Sequence, residues 1–285
     1  MNRYKSLGLV GLAAASLFAT QAFAAVPTPG PSGCAAAPTP GAVMGGTITC
    51  VASYGSDGVG TGLANYLNEY DPVNNPNGLV ASGPGINPYT QQSGPNASWS
   101  LGAGGNTSTI LLEIAGNAGA NTFGIYDLTN INNTFQLFSG TDSAGNLVTL
   151  TFDGSGVYST GGVPSATFGS GSLFGYYLGT PGNGIFYSDP SKNSIGVQQF
   201  VEFAGDGSTL FQTGAGTTLF DSSKYLLAWE DMLATSSDQD YNDFVVIVTA
   251  NPGVQVPEPA VLGMFGIGAL MIGLFGGLRR RREEV

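Results

Sequence analysis

Short apolar runs separated by polar turns fill the centre of the chain. Turn-forming pairs such as Asp153-Gly154 and Asp206-Gly207 divide the runs, and one short helix is predicted at 62–70 (GLANYLNEY). Apolar runs of this kind between Gly- and Asn-rich turns are typical of β-strands. The pattern predicts an all-β fold, an antiparallel β-sandwich or jelly roll, over residues 42–250. The predicted strands lie in STILLEIAG (108–116), NTFGIYD (121–127), TFQLFSG (134–140), NLVTLTFDGSG (146–156), SLFGYYLG (172–179), GIFYSD (184–189), IGVQQFVEFAGDGS (195–208), KYLLAWED (224–231) and FVVIVTA (244–250).

The first 24 residues have the pattern of a secretory signal peptide. Arg3 and Lys5 precede an apolar run, and Ala22-Phe23-Ala24 forms a cleavage site of small residues. A retained membrane anchor is the alternative, but the apolar run is short for a membrane span. A Pro-rich arm is predicted at 25–41, where Pro-Thr-Pro-Gly occurs twice.

The other end of the chain predicts a membrane anchor. Residues 260–278 carry no charge, and as a helix they would span roughly 28 Å, enough for the core of a bilayer. The basic run Arg279, Arg280, Arg281 and Arg282 opens a tail at 279–285, which stays in the cytoplasm because clustered positive charges resist translocation. A linker at 251–259 joins this transmembrane helix to a body that lies outside the inner membrane.

Charge limits what the exported body can bind. Residues 25–258 contain two lysines against seventeen acids, a net charge of −15. Nucleic acid and anionic membrane surfaces are excluded as partners, because both require clustered basic residues. The chain has no histidine, which excludes Ser-His-Asp and Cys-His catalysis.

Two cysteines, Cys34 and Cys50, are the only ones in the chain. In an exported protein we expect them to form a disulfide. A zinc site with two cysteines and no histidine is a poor alternative, and a catalytic thiol would lack its histidine partner.

Five carboxylates fall within the segment EDMLATSSDQDYND (230–243), which connects the last two predicted strands. A hairpin would bring the acids at the two strand ends together, and like charges facing each other are destabilising. Strand alternation predicts that Glu230 and Asp231 point to opposite faces of the sheet. Lys224 is the only base near this segment in the sequence.

A hard cation fits this segment better than one lysine does. Calcium takes six to eight oxygen ligands from carboxylates, amides and backbone carbonyls. The spacing Asp-x-Asp-x-Asn resembles the first half of an EF-hand loop, but Asp243 replaces the turn glycine and the closing Glu is missing. The alternative is a solvated acidic loop whose charge is screened by salt. The candidate calcium ligands are Glu230, Asp231, Asp238, Asp240, Asn242 and Asp243.

Other residues suggest weaker possibilities. A second oxygen cluster is conceivable at Glu113, Asn121 and Asp127, although an outward-facing strand explains Glu113 more simply. Glu113 and Glu202 are the candidate pair for a two-carboxylate glycosidase. Four aromatic residues could stack on sugars in a carbohydrate-binding module, or could be ordinary core residues: Trp99, Tyr176, Tyr177 and Tyr187.

Two segments resemble known families. Pro257-Glu258-Pro259, the apolar helix and the arginine run resemble the PEP-CTERM sorting signal of Gram-negative bacteria. This resemblance implies cleavage by a membrane exosortase, so that the helix is a temporary anchor. Residues 105–250 are similar to a secreted bacterial domain of unknown function that ends in Glu-Asp, a gap and Asp-x-Asp-Tyr-Asn-Asp. This second resemblance implies a β-rich exoprotein domain with a calcium-binding role.

Together these features predict a non-enzymatic protein of the cell surface or extracellular matrix. It would be exported across the inner membrane, held there transiently, and then sorted to the surface or released. The implied partners are an exosortase-type processing enzyme and extracellular polysaccharide. A carbohydrate-binding module is the first alternative function, and a glycosidase is the second.

Overall fold

The computed structural model describes most of the central region of the chain. The described residues are 43–44, 48–49, 51, 62–68, 78–94, 96–101, 106–112, 119–160, 165–194, 196–213, 216–233, 237–249 and 251–252. The predicted signal peptide, Pro-rich arm, disulfide, sorting motif, transmembrane helix and basic tail lie outside these residues, as does Glu113. Within the described residues, no helix is both long enough and apolar enough to cross a membrane.

Antiparallel β-strands make up nearly all of the regular structure in this region, as predicted. One α-helix, α1 (Leu63–Leu67), confirms the short helix predicted at 62–70, and a 3₁₀ helix spans Pro190–Lys192. The strands are β1 (Val43–Met44), β2 (Ile48–Thr49), β3 (Val80–Ser82), β4 (Trp99–Ser100), β5 (Asn106–Leu112), β6 (Thr122–Asp127), β7 (Asn130–Phe138), β8 (Leu147–Phe152), β9 (Val157–Thr160), β10 (Ala166–Thr167), β11 (Leu173–Thr180), β12 (Gly184–Tyr187), β13 (Phe200–Ala204), β14 (Leu210–Thr213), β15 (Gly216–Leu219), β16 (Lys224–Trp229), β17 (Phe244–Thr249) and β18 (Asn251–Pro252).

Two large sheets organise these strands. One has seven strands in the order β10-β9-β8-β5-β17-β16-β13, and the other has six, β18-β4-β11-β6-β7 with β12 paired to β11. A three-stranded sheet, β15-β14-β3, and the pair β1-β2 complete the described topology. Pairing of β18 with β4 continues the sheet two residues into the segment assigned to the linker from sequence. Pro252 is tolerated there because β18 is an edge strand.

The seven-stranded sheet is covered on both faces. Alternate side chains of β16 and β17 enter two different clusters of buried residues, as expected for extended strands. The first core contains residues of both large sheets, including Phe123, Tyr176, Leu227, Trp229 and Phe244. The second core joins the opposite face of the seven-stranded sheet to α1 and the three-stranded sheet, and includes Leu63, Phe211, Leu226, Ala228 and Val245.

β16 and β17 form a hairpin in the seven-stranded sheet, where they lie between the central strand β5 and the edge strand β13. The two strands pair in register from Lys224 opposite Thr249 to Trp229 opposite Phe244. This confirms the hairpin predicted from sequence, with each strand slightly shorter than its apolar run. The connection from 230 to 243 therefore begins and ends at the pair Trp229–Phe244.

Candidate metal site

The acidic residues lie in the connection that joins β16 to β17, at the Trp229–Phe244 end of the hairpin. Glu230 and Asp231 directly follow β16, and Asp243 directly precedes β17. Glu230 lies on the side of the second core, where its Oε1 accepts a hydrogen bond from the backbone of Tyr241 at 2.6 Å. Asp231 contacts Asn121, at the start of β6 in the other large sheet. The two acids thus diverge to opposite faces, as strand alternation predicts.

Glu230, Asp238 and Asp240 form a compact group of oxygen ligands. One carboxylate oxygen from each lies within 4.8 Å of the others. Oxygens that share one calcium ion at 2.3–2.6 Å lie at most about 5 Å apart, so this spacing fits a single coordination sphere. Glu230 and Asp240 are buried, and Asp238 is half-buried. The group therefore has ligands in the interior and one side open to solvent.

Hydrogen bonds fix the orientation of these carboxylates. Ser237 Oγ donates to Glu230 Oε2, and Asn242 donates to Asp240 from its backbone at 3.2 Å and from its side chain at 2.6 Å. The backbone nitrogen of Leu63, at the start of α1, donates to the carbonyl of Asp240 at 3.1 Å. The loop is thus anchored both to the strand end and to the helix.

The backbone of this loop adopts an uncommon conformation. Gln239 and Tyr241 have φ angles of 62° and 54°, in the left-handed region that side chains other than glycine rarely occupy. Each such residue costs on the order of 1–3 kcal/mol and persists only where its surroundings hold it in place. Tyr241 is held because its ring is buried in the second core and its backbone binds Glu230.

Asp231 and Asp243 lie next to this group. The backbone nitrogen of Asp231 donates to Asp243 Oδ2 at 2.9 Å. Asp231 Oδ2 accepts from Asn121 Nδ2 at 3.1 Å, and the Asp231 carbonyl accepts from Asn183 Nδ2 at 3.1 Å. Asn121 directly precedes β6 and Asn183 lies between β11 and β12, so these bonds connect the hairpin end to the six-stranded sheet.

Negative charge accumulates here, and neither of the two lysines that the structure describes lies beside it. Burial raises the pKa of Glu230 to about 8, and the charges of Asp240 and Asp238 act in the same direction. Burial raises the pKa of Asp243 to about 9, reinforced by Glu230 and Asp231. An ionised form of the whole cluster therefore requires compensation by positive charge.

Lys224 does not supply that charge. It begins β16, at the opposite end of the strand from Glu230, and six residues of strand separate the ends by roughly 17–20 Å. Its Nζ instead binds Asp221 Oδ2 at 2.6 Å and the carbonyl of Leu219 at 2.5 Å. Lys224 is therefore near the acidic segment in the sequence but far from it in space, because the extended strand β16 lies between them.

The structure brings four of the six predicted ligands into direct contact in pairs, Asp231 with Asp243 and Asp240 with Asn242. The other two, Glu230 and Asp238, lie in the compact ligand group with Asp240. The second cluster suggested at Asn121 and Asp127 does not form, because these residues lie at opposite ends of β6. Asp127 instead accepts hydrogen bonds from Thr129, Gly169 and Ser170. Asn121 joins Asp231, a contact that sequence analysis did not predict.

Neither alternative function gains support from the geometry. The four candidate stacking residues have at most 8% of their surface exposed: Trp99, Tyr176, Tyr177 and Tyr187. Core packing therefore explains them. Glu202 is 1% exposed and accepts three hydrogen bonds from Ser93 and Asn96, so its carboxylate is closed to a sugar and to attacking water.

One sequence family matches part of the chain. A family described as "Domain of unknown function (DUF4114)" matches residues 168–251, which run from the residue after β10 to the first residue of β18 and include the whole acidic hairpin. No curated protein and no solved structure matches the chain. The chain is thus similar to this family over the region that contains the candidate metal site.

Proposed function

We propose that this chain is a non-enzymatic protein of the bacterial cell surface or extracellular matrix, built on a β-sandwich whose acidic hairpin binds calcium. The supporting observation is the cluster of five carboxylates at 230–243, four of them buried, at the end of a hairpin remote from Lys224. Calcium neutralises such a cluster with the oxygen ligands that are present. Magnesium fits less well, because it requires a smaller octahedral shell and dehydrates reluctantly.

In this proposal the protein is exported and then sorted. The predicted signal peptide and C-terminal anchor carry the body across the inner membrane. An exosortase-type enzyme then cleaves near Pro257-Glu258-Pro259, and the mature body reaches the cell surface or the extracellular space. There calcium is available to occupy the hairpin, and an acidic polysaccharide is a suitable partner for calcium-loaded carboxylates.

Calcium should stabilise the fold through the hairpin. A ligand at one hundred times its dissociation constant adds about 2.7 kcal/mol to the free energy of unfolding, which corresponds to roughly 5–10 °C in melting temperature for a domain of this size. We expect this shift when the full-length chain, purified in detergent, is melted with calcium rather than chelator. Fluorescence of the buried Trp229, next to Glu230, reports the transition.

Two double variants separate a specific site from general charge screening. Asp238→Asn with Asp240→Asn removes two carboxylates of the ligand group and should abolish the calcium-dependent shift. Asp142→Asn with Asp153→Asn removes the same charge from turns outside the hairpin and should leave the shift unchanged. If calcium does not change the melting temperature of the parent, or if it raises that of Asp238→Asn with Asp240→Asn as much as that of the parent, the acidic segment is only a solvated loop.

A further inference from the structure

A short segment of the chain passes around the outer edge of the seven-stranded sheet. Tyr89 is buried in the second core and Trp99 in the first, so the chain between them changes from one face of the sheet to the other. It does so beside the edge strand β13, whose opposite side is paired with β16. We refer to Gln92, Ser93 and Asn96 of this segment as the strap.

Backbone contacts hold the strap against β13. Gln92 forms an isolated antiparallel bridge with Phe203, and the backbone nitrogen of Ser93 donates to the carbonyl of Glu202 at 2.9 Å. The strap thus occupies backbone groups that an edge strand otherwise presents to solvent or to another chain. Since β13 pairs with β16 from Phe200 to Ala204 but touches the strap over a shorter length, the strap also depends on side-chain contacts.

The Glu202 carboxyl group provides these side-chain contacts. Ser93 Oγ donates to its Oε1 at 2.8 Å. Asn96 donates from its side chain to Oε1 at 2.6 Å and from its backbone to Oε2 at 2.9 Å. The Glu202 residue is 1% exposed, so one buried carboxyl group fastens both Ser93 and Asn96 to the edge strand.

Within the described part of the chain, no charged side chain acts on this carboxyl group. Lys224 and Tyr225 lie at the start of β16, and Tyr89 precedes the strap. Lys224 binds Asp221 instead. Burial raises the pKa of both tyrosines, and the charge of Glu202 raises that of Tyr225 further, so both rings stay neutral. Only hydrogen bonds therefore compensate an ionised Glu202.

These hydrogen bonds do not offset the burial of the carboxyl group. Burial raises the pKa of Glu202 to about 7, whereas its ordinary value in water is 4.5. When the strap opens, the carboxyl group reaches water and releases its proton at that lower pH. Opening is therefore increasingly favoured as pH rises from 4.5 to about 7, and this effect is complete above that range.

We propose that the strap is a pH-sensitive latch on the edge strand β13: Glu202 holds it closed in acidic solution, and it opens more readily as the solution becomes neutral. This inference goes beyond the proposed function and does not depend on calcium, because Glu202 is not among the candidate metal ligands. An open latch uncovers the backbone of β13, and a bare edge is where another chain can add a strand to a sheet.

Amide hydrogen exchange tests the latch directly, because the backbone amides of Ser93 and Asn96 both donate to Glu202. Mass spectrometry of the full-length chain, in detergent with calcium, follows peptides that cover the strap, and the rates are corrected for the intrinsic pH dependence of exchange. From pKa values of about 7 closed and 4.5 open, the opening equilibrium should rise about 70-fold between pH 5 and pH 8. It should change little above pH 8.

Three variants identify the group that titrates. Glu202→Gln cannot ionise, so its corrected strap exchange should not depend on pH. The control Asp153→Asn changes an exposed carboxyl group in another turn and should keep the parental profile. Ser93→Ala removes one donor from the carboxylate, so the rise should continue to a higher pH than in the parent. This variant keeps the test valid if Glu202→Gln does not fold.

A comparison with β11, which is paired on both sides, separates a local latch from unfolding of the whole domain. Strap peptides should exchange at least tenfold faster than β11 peptides at pH 8. Equal protection of the two regions would show that the strap opens only when the domain unfolds, and would overturn the latch. Corrected parental strap rates that are equal at pH 5 and pH 8, or a parental profile in Glu202→Gln, would overturn it as well.

Discussion

Buried carboxylates in this protein differ in how many donors surround them. Asp127 is 2% exposed, and burial acts to raise its pKa, but donors from Thr129, Gly169 and Ser170 outweigh that effect and hold the pKa well below its usual range. At Glu230, burial together with the charges of Asp240 and Asp238 outweighs its two donors, Ser237 and Tyr241, and its pKa is raised. The Asp127 carboxylate is thus fully used in holding a turn, whereas the Glu230 carboxylate still has oxygens available for a cation.

Glu202 is intermediate between these two carboxylates, and its titration should make the stability of the fold depend on pH. It lies on the edge strand β13, where Ser93 and Asn96 donate to its side chain at 2.6–2.9 Å. Burial raises its pKa to about 7 despite these donors. Since the folded state binds the proton more tightly than the unfolded state, this contribution to stability is complete below about pH 4.5 and is lost as pH rises through 7.

Replacement of Glu202 by Gln should remove that dependence. The parent should lose up to about 3 kcal/mol relative to Glu202→Gln between pH 4.5 and pH 8, measured as the free energy of unfolding in urea with calcium present. Asp153→Asn is the control, because hydrogen bonds from Ser155 lower the pKa of that exposed carboxyl and it stays ionised over this range. Parallel pH profiles for the parent and Glu202→Gln would contradict the prediction.

At the scale of elements, tyrosine rings fill the space left by glycines on neighbouring strands. Gly175 of β11 pairs with Tyr126 of β6, and Gly124 of β6 pairs with Tyr177 of β11. A Cβ at Gly175 would lie 2.2 Å from Cε1 of Tyr126, and one at Gly124 would lie 2.7 Å from Cε1 of Tyr177. The absence of a side chain at each glycine lets the tyrosine of the paired strand lie close to the sheet.

Gly175→Ala should therefore destabilise the protein. The added methyl group collides with the Tyr126 ring, which is 0% exposed and packs against Tyr187 at a centroid distance of 4.8 Å. We expect a loss of about 1–3 kcal/mol, seen as a lower melting temperature. Gly119→Ala is the control, because nothing lies within 4 Å of its added Cβ. Equal stability of the two variants would show that the ring moves aside without cost.

The sequence predicts those elements whose contacting residues are close together along the chain, and not those whose contacting residues are far apart. The β16–β17 hairpin was predictable because its apolar runs flank one connection, and so were α1 and the acidic cluster. The strand order β8-β5-β17 was not, because β5 and β17 meet through contacts between distant segments. Asn121 and Asp231 are 110 residues apart, and nothing in the pattern around either residue indicates the other.

At the scale of the whole molecule, the candidate metal site lies where three layers meet. The seven-stranded sheet separates two cores, and the hairpin end contributes to both: Tyr241 and Leu226 to the second core, Trp229 and Phe244 to the first. Charge repulsion at this end would loosen contacts on both faces of the sheet at once. A bound cation there would consequently stabilise the whole domain rather than one loop.

The segments at both ends of the sequence are predicted to be removed during maturation. The signal sequence predicts a mature chain that begins at Ala25, and the sorting motif predicts loss of the helix at 260–278 together with Arg279 to Arg282. The sequence predicts an extended segment accessible to a protease at this motif, because the prolines on both sides of Glu258 disfavour helix and sheet. Intact-mass measurement on protein secreted by its native host should show both ends removed.

Substitution of the two motif prolines tests which feature directs the cleavage. Pro257→Ala with Pro259→Ala should leave an uncleaved chain in the inner membrane, because the anchor then continues into a segment able to form helix. Pro38→Ala with Pro40→Ala makes the same change in a Pro-Thr-Pro of the N-terminal arm and should be processed normally. A secreted parent that still contains the arginine run would refute the predicted sorting signal without bearing on the candidate metal site, because the two predictions concern separate parts of the chain.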